Sequence, residues 1–347
     1  QAAEWWYPVH AAGYNWLQST RQSGKELAKR IEGIIQHYSG MGYDCRQVIL
    51  VTHSQGGLIA RAACHPQIGR AEKQVLGIVQ GEAPTLGAPL VYKRMRAGHE
   101  SLQGLISFFA GNLKAEILGE SAAEVIPVLA NAPGALELLP TKHYPPGWLR
   151  VDAVAGAPAA NLPKTDPYHE IYAERTALWK LVREELLDPS RKIHTTGDDP
   201  WDTYLEKLTD VEGLHKTINL YHHPCTYAHY IASPSQSSCS AIRWRYNGRP
   251  GSTADARGKD NLQGRIELHH DSQWQGSMVM EDDRDTPQTG DGTVCAGGFN
   301  PWEGWRTQSF APGSHAVTPM TTYSGTAIKT QYSGTLKDEL PASRYAR

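Results

Sequence analysis

Ser54 is the residue whose surroundings most clearly indicate chemistry. It follows an apolar, mostly β-branched run at residues 48–51 and precedes a glycine-rich turn at residues 55–57. A strand that ends at such a turn, with an apolar helix start directly after it, is typical of a nucleophile elbow. Thr52 stands where the usual Gly-x-Ser-x-Gly pattern has its first glycine. The segment predicts that Ser54 is a catalytic nucleophile.

A nucleophilic serine needs a base within hydrogen-bond reach, and that base needs a carboxylate that fixes its tautomer. In α/β hydrolases the three residues follow the chain order serine, acid, histidine. Asp291, between Gly290 and Gly292, is the predicted acid because a tight loop can point its carboxylate inward. A solvated Asp-Gly turn explains the same residues equally well. His315 is the one histidine after Asp291 and becomes the predicted base by elimination, with a surface histidine as the alternative.

The oxyanion of an acyl-transfer reaction needs backbone donors. The N–H group of Gln55, at the start of the elbow helix, is the predicted first donor. The second donor normally comes from a loop after an earlier strand. The sequence shows no His-Gly loop before its first helix, so the second donor has no assignment.

Neither a metal nor a cofactor is predicted. Adjacent histidines occur at 222–223 and 269–270, but neighbouring residues of a strand point to opposite faces, so each pair offers at most one ligand. The five cysteines include no Cys-x-x-Cys spacing, which disfavours a zinc site.

The composition limits the classes of partner that the chain is expected to bind. The 347 residues are 40% hydrophobic and carry a formal net charge of −2, which implies no bulk attraction to nucleic acid or to an anionic membrane. No run approaches the roughly 20 apolar residues of a transmembrane helix. The first residues show neither the basic start nor the apolar centre of a signal peptide.

The elements that position Ser54 follow from periodicity. Ser23 and Glu26 have capping-box spacing and precede an amphipathic helix. Buried strands are predicted at residues 48–51 and 75–79, with the elbow helix between them. This order is typical of a parallel sheet with covering helices, so the predicted fold class is α/β.

Strand signals disappear between about residues 90 and 214. Residues 168–187 have helical periodicity, and Asp199-Pro200 marks a helix start. A helical block after a strand of a parallel sheet is most simply a cap over the carboxyl edge, where ligands bind. Strands are predicted again at residues 218–221, 227–231, 242–246 and 264–268. We therefore predict a discontinuous hydrolase core at residues 1–90 and 215–347 and a helical cap or lid at residues 91–214.

Three stretches, at residues 13–19, 48–63 and 81–100, resemble the type VI secretion lipase effectors. These are antibacterial phospholipases related to the GPI inositol-deacylase-like esterases. The loop at residues 290–294 is similar as well and favours Asp291 as the acid. Thr52 and Cys295 depart from the pattern of the family.

The resemblance implies an α/β-hydrolase core with a lid and cleavage of acyl esters in membrane glycerophospholipids. It also implies a cognate immunity protein. The chain would be made in the bacterial cytoplasm and delivered by type VI secretion to the periplasm of a target cell. Two other interpretations stay open: a carboxylesterase or acyltransferase on a soluble ester, and a non-catalytic binding protein on a hydrolase scaffold.

Overall fold

The computed structural model of the chain describes residues 6–98, 119–154, 158–193, 197–219, 221–229, 233–248, 258–270, 273–283, 288–290, 308–310 and 317–319. The strands in these ranges are β1 (Val48–His53), β2 (Val75–Gly81), β3 (Leu149–Val151), β4 (Ala160–Leu162), β5 (Thr226–His229), β6 (Ser233–Ser238), β7 (Ile242–Gly248), β8 (Lys259–Asp260), β9 (Arg265–His270), β10 (Gln273–Asp282), β11 (Gln288–Gly290), β12 (Gln308–Phe310) and β13 (Val317–Pro319). The α-helices in these ranges are α1 (Thr20–Gly40), α2 (Gln55–Cys64), α3 (Pro89–Ala97), α4 (Ala122–Leu129), α5 (Pro133–Leu136) and α6 (Pro200–Ile218).

A three-stranded parallel sheet in the order β1-β2-β5 positions the elbow. At its carboxyl edge His53 lies opposite Gly81, and Gly81 lies opposite His229. Helices α1 and α2 pack closely, since a Cβ added to Gly24 would lie 2.6 Å from the Cβ of Ala62. The predicted strand–helix–strand arrangement around Ser54 is therefore present.

A six-stranded sheet in the order β4-β3-β7-β10-β9-β8 forms the second layer of strands. Strands β3 and β7 are parallel, and the other neighbours are antiparallel. A large apolar cluster joins this sheet to α3, α4 and α6, with Trp244 and Tyr92 fully buried in it. The indole Nε1 of Trp244 donates to the hydroxyl of Tyr92 at 3.0 Å, so the polar atoms of this pair are satisfied.

The predicted absence of strands between residues 91 and 214 is wrong. Strands β3 and β4 lie in this stretch, and Leu149 of β3 pairs with Ile242 of β7. Strands of three residues are too short to produce a periodic pattern. The division into a discontinuous core and a helical cap stays a prediction. Strands from the predicted cap and strands from the predicted core nevertheless belong to the same six-stranded sheet.

Local predictions had mixed outcomes. The helix start at Asp199 is confirmed, because its carboxylate accepts from Trp201 N at 2.8 Å. Helix α1 begins earlier than the capping-box spacing indicates, with Ser19 as its N-cap. The strand predicted at residues 218–221 is wrong, since α6 continues to Ile218. The helix predicted at residues 168–187 is reduced to a π-helical turn and a 3₁₀ turn, Tyr168–Tyr172 and Glu184–Leu186.

In the part of the chain that the structure describes, no helix is both long and apolar enough to cross a membrane.

Candidate active site

Ser54 occupies a strained turn between β1 and α2. Its backbone has φ 55° and ψ −131°, a region that residues with a Cβ rarely adopt. Its N–H donates to Gly81 O at 2.8 Å, and its carbonyl accepts from Gly57 N at 2.9 Å. Strain of this kind concentrates at functional sites. The geometry is that of a nucleophile elbow, and the catalytic role of Ser54 stays a prediction.

The glycine that the turn requires is Gly57 rather than Gly56. A Cβ on Gly57 would lie 2.7 Å from the Cβ of Ala83 and 2.8 Å from the Cδ of Gln80, so α2 touches β2 at this point. A Cβ on Gly56 would lie 3.6 Å from the Cβ of Thr52, which is ordinary contact. Threonine at position 52 is therefore compatible with the turn, since even a methyl group on Gly56 would not clash with it.

Several buried polar atoms lie in this turn, at the end of β2 and in the loop that follows β2. The Oγ of Ser54, the Oε1 of Gln55, both amide atoms of Gln80 and the Oγ1 of Thr85 are shielded from solvent and have no hydrogen-bond partner among the described residues. Most buried polar groups in proteins are satisfied, and exceptions call for a physical reason such as a catalytic role. Ser54 and its neighbours Gln55 and Gln80 therefore carry polar atoms that no hydrogen bond among the described residues uses.

Glu82 is a residue that sequence reasoning missed. It follows β2 directly, as Ser54 follows β1, and it also has a positive φ of 50°. The two residues are 5% and 6% exposed, respectively. Carboxyl ends of neighbouring parallel strands meet at one edge of the sheet, and this rule applied to the strand at 75–79 could have found Glu82. A carboxylate and a hydroxyl thus follow adjacent strand ends.

The segment before α1 is fixed to the elbow and to α5. The side-chain Nε2 of Gln55 donates to Trp16 O at 3.2 Å and to Gly134 O at 3.1 Å. The buried carboxylate of Glu137 accepts from Ser19 Oγ at 3.0 Å and from the backbone N–H of the next residue at 2.8 Å. Burial raises the pKa of Glu137, and these hydrogen bonds oppose that rise.

Asp291 and His315 lie outside the described residues, so their roles stay predictions. Asp291 directly follows β11, which pairs with β6. Of the four predicted site groups, the structure places the Ser54 hydroxyl and the Gln55 N–H, which are adjacent at the start of α2.

The histidines at 222 and 223 have structural surroundings. The ring of His223 contacts Glu72 O at 3.2 Å and Cys225 N at 3.2 Å. Burial lowers the pKa of His222 to about 2, and the positive charge of Arg61 lowers it further. The prediction that this pair is not a metal site stays untested.

Neither a protein-family model nor a curated protein matches the chain. Among solved structures, a chain of the crystal structure of the Tle4-Tli4 complex is similar over 82% of the present chain, with 30% identity and a TM-score of 0.66. The present chain spans 57% of the length of that chain. The lipase BlEst2 of Bacillus licheniformis in its mature form matches over 34% of the present chain and 45% of its own, with 20% identity and a TM-score of 0.22.

The chain has an α/β-hydrolase fold. The fold class predicted from the sequence is confirmed by the Tle4-Tli4 match together with the parallel sheet and the elbow between β1 and α2. The likeness to BlEst2 is too slight to add to this conclusion.

Proposed function

We propose that this chain is a serine hydrolase that cleaves acyl esters of membrane glycerophospholipids. The observation that carries the proposal is Ser54, a buried serine with positive φ at the first turn of α2. No hydrogen bond among the described residues uses its hydroxyl. A strained conformation with an unused hydroxyl is expected of a nucleophile and has no evident benefit for stability.

The proposed reaction has two steps. The base, His315, removes the proton of Ser54 while Oγ attacks the acyl carbonyl and forms a tetrahedral oxyanion. The backbone N–H of Gln55 donates to that oxyanion at the positive end of α2. Collapse breaks the ester C–O bond, and the leaving lysophospholipid oxygen takes the proton from His315. Water then attacks the acyl-enzyme by the same route and releases the fatty acid and free Ser54, while Asp291 holds the imidazole.

The biological setting is part of the proposal. The resemblance of residues 13–19, 48–63 and 81–100 to type VI secretion lipase effectors favours synthesis in the cytoplasm and delivery to the periplasm of a target cell. Similarity to a chain of a two-protein complex, Tle4 with Tli4, supports a dedicated protein partner, which would be an immunity protein.

A fluorophosphonate probe tests the nucleophile. We expect the probe to label Ser54, which peptide mass mapping would locate, and we expect Ser54→Ala to be unlabelled. The melting temperature of Ser54→Ala should stay within a few degrees of wild type, because the Ser54 hydroxyl makes no hydrogen bond among the described residues. Absence of labelling in a folded wild-type chain would favour the non-catalytic interpretation.

Phosphatidylethanolamine–phosphatidylglycerol vesicles test the substrate. We expect release of fatty acid and lysophospholipid by wild type, and a loss of at least about 10³-fold in Ser54→Ala. Turnover of a short soluble ester without any turnover of the vesicles would support the carboxylesterase alternative instead.

A further inference from the structure

The side chain of Gln55 connects the elbow to two segments that are distant in sequence. Its NH₂ group donates to Trp16 O and to Gly134 O, and the residue is only 1% exposed. Both partners are carbonyl oxygens, so only the NH₂ end of the amide can serve them and its orientation is fixed. Gln55 therefore holds the elbow, the segment at Trp16 and helix α5 together at one point.

The segment at Trp16 and helix α5 also contact each other directly. Gly134 N donates to Leu17 O at 3.0 Å. A Cβ on Gly134 would lie 2.2 Å from Trp16 O, so the two backbones touch at this point. These contacts fix the Trp16 segment to α5, whereas the Gln55 amide fixes both of them to the elbow.

Burial of the Gln55 side chain also has an unfavourable effect on stability. Its Oε1 has no hydrogen-bond partner among the described residues. An unsatisfied buried acceptor is destabilising, to an extent comparable with what a pair of neutral hydrogen bonds contributes. The net contribution of the Gln55 side chain to stability is therefore small. Its role is to position the Trp16 segment and helix α5 at the elbow.

We propose that Gln55 is a positioning residue of the oxyanion hole. Its backbone N–H is the first donor of the mechanism above, and its side chain holds the backbones of Trp16 and Gly134 against the start of α2. An oxyanion hole depends on donors that are fixed before the charge develops. This inference rests on the proposed function, since it requires Ser54 to form an acyl-enzyme.

Gln55→Met is the first test, because methionine has a similar length but no donor. We expect kcat per fluorophosphonate-labelled Ser54 to fall about 10- to 100-fold, since a displaced donor should cost somewhat less than a deleted one. KM should change less than about twofold, because the donors act on the transition state and not on the bound ester. The rate of labelling should fall together with kcat.

Gly134→Ala tests the same junction while it leaves the Gln55 amide in place. The added methyl group must displace Trp16 O, so kcat should fall in the same direction. The effects of Gln55→Met and Gly134→Ala should not add, because both act on one segment.

Two matched controls should keep the wild-type kcat. The NH₂ group of Gln36 donates to Glu32 Oε1 at 3.2 Å on the exposed side of α1, away from the elbow. Gln36→Met removes this hydrogen bond without touching the junction. Gly33→Ala adds a methyl group to a helix at a position with no atom within 4 Å.

The outcomes separate the inference from the proposed function. If Gln55→Met lowers the melting temperature but keeps kcat per labelled serine within twofold, the side chain is only structural and the inference is wrong. A wild-type chain without labelling at Ser54 would instead remove the proposed function. Loss of kcat in Gln55→Met at unchanged KM, with both controls normal, supports the inference.

Discussion

The two ends of helix α2 use the same kind of contact for different purposes. At the start, the Gln55 amide donates to the carbonyls of Trp16 and Gly134. Near the end, the guanidinium of Arg61 donates to the backbone carbonyls of Asn219 and Tyr221, both at 3.1 Å, and to Ile218 O. One end holds the surroundings of Ser54, and the other holds the last turn of α6.

Charge distinguishes the two ends. Arg61 is buried, which lowers its pKa to about 9, and it lies against the negative end of the α6 dipole, where a cation is stabilised. Gln55 is neutral and lies at the positive end of α2, next to Ser54. Removal of the Gln55 side-chain contacts should therefore lower the activity. Removal of the Arg61 contacts should instead lower the free energy of unfolding.

The largest expected effect concerns the predicted acid of the catalytic triad. Asp291→Asn should lower kcat about 10²- to 10⁴-fold, because the imidazole then takes the wrong tautomer. Asp282→Asn is the control, since that carboxylate is half exposed and pairs with Lys93 at the surface. Glu82→Gln is the informative comparison. Wild-type activity in Asp291→Asn together with a large loss in Glu82→Gln would transfer the role of the acid to Glu82.

Arg61→Met should produce the largest loss of stability. It leaves three carbonyls at the end of α6 without these donors, so we expect the free energy of unfolding to fall by about 3 kcal/mol. Urea denaturation measures this change, and kcat per labelled serine should stay near wild type. Arg46→Met is the control because its side chain is 83% exposed and its ion pair lies at the surface. A loss of kcat with unchanged stability would contradict the distinction between the two ends.

Gly57→Ala should have an intermediate effect. It should lower both kcat and the free energy of unfolding. The added Cβ must displace Gln80 or Ala83, which costs about 1–3 kcal/mol and shifts the start of α2 together with Ser54. Gly56→Ala adds the same atom at a position with room for it and should be close to neutral. Equal losses in the two variants, by denaturation and by kcat, would mean that the contact with β2 does not control the turn.

The elbow could be predicted because its information is contiguous. A buried strand, a small-residue turn and an apolar helix occupy residues 48–63, and each part can be recognised from its own pattern. The contacts of the Gln55 side chain could not be predicted in this way. Its partners Trp16 and Gly134 are 39 and 79 residues away in the chain, and nothing in the local sequence specifies them.

The errors also have a physical origin. Strands β3 and β4 have three residues each, and β3 is stabilised by pairing with β7, so neither leaves a periodic signal of its own. The apolar residues at 218–221 are too few to distinguish a strand from a helix end. Arg61, which is distant in sequence, stabilises the helix end there by donating to the carbonyls of Ile218 and Asn219.

The smallest expected effect lies at the structural end and depends on pH. His215 of α6 is buried, donates through Nε2 to Glu137 O at 2.8 Å and accepts at Nδ1 from the hydroxyl of Tyr168. Burial lowers its pKa to about 4; Arg61 lowers it further, while the Glu137 hydrogen bond and the charge of Glu212 raise it.

The sign of this effect follows from the lowered pKa. Between the ordinary pKa of 6.5 and about 4, the unfolded chain binds a proton at this residue and the folded chain does not. The contribution of His215 to stability is therefore complete above about pH 6.5 and is lost as the pH falls toward 4, by at most about 1.4 kcal/mol per pH unit. In His215→Gln the slope of unfolding free energy against pH should be smaller over this range, while the contribution of His222 is common to both proteins and cancels in the difference. Equal slopes in wild type and His215→Gln, measured by urea denaturation, would mean that folding does not change the pKa of His215.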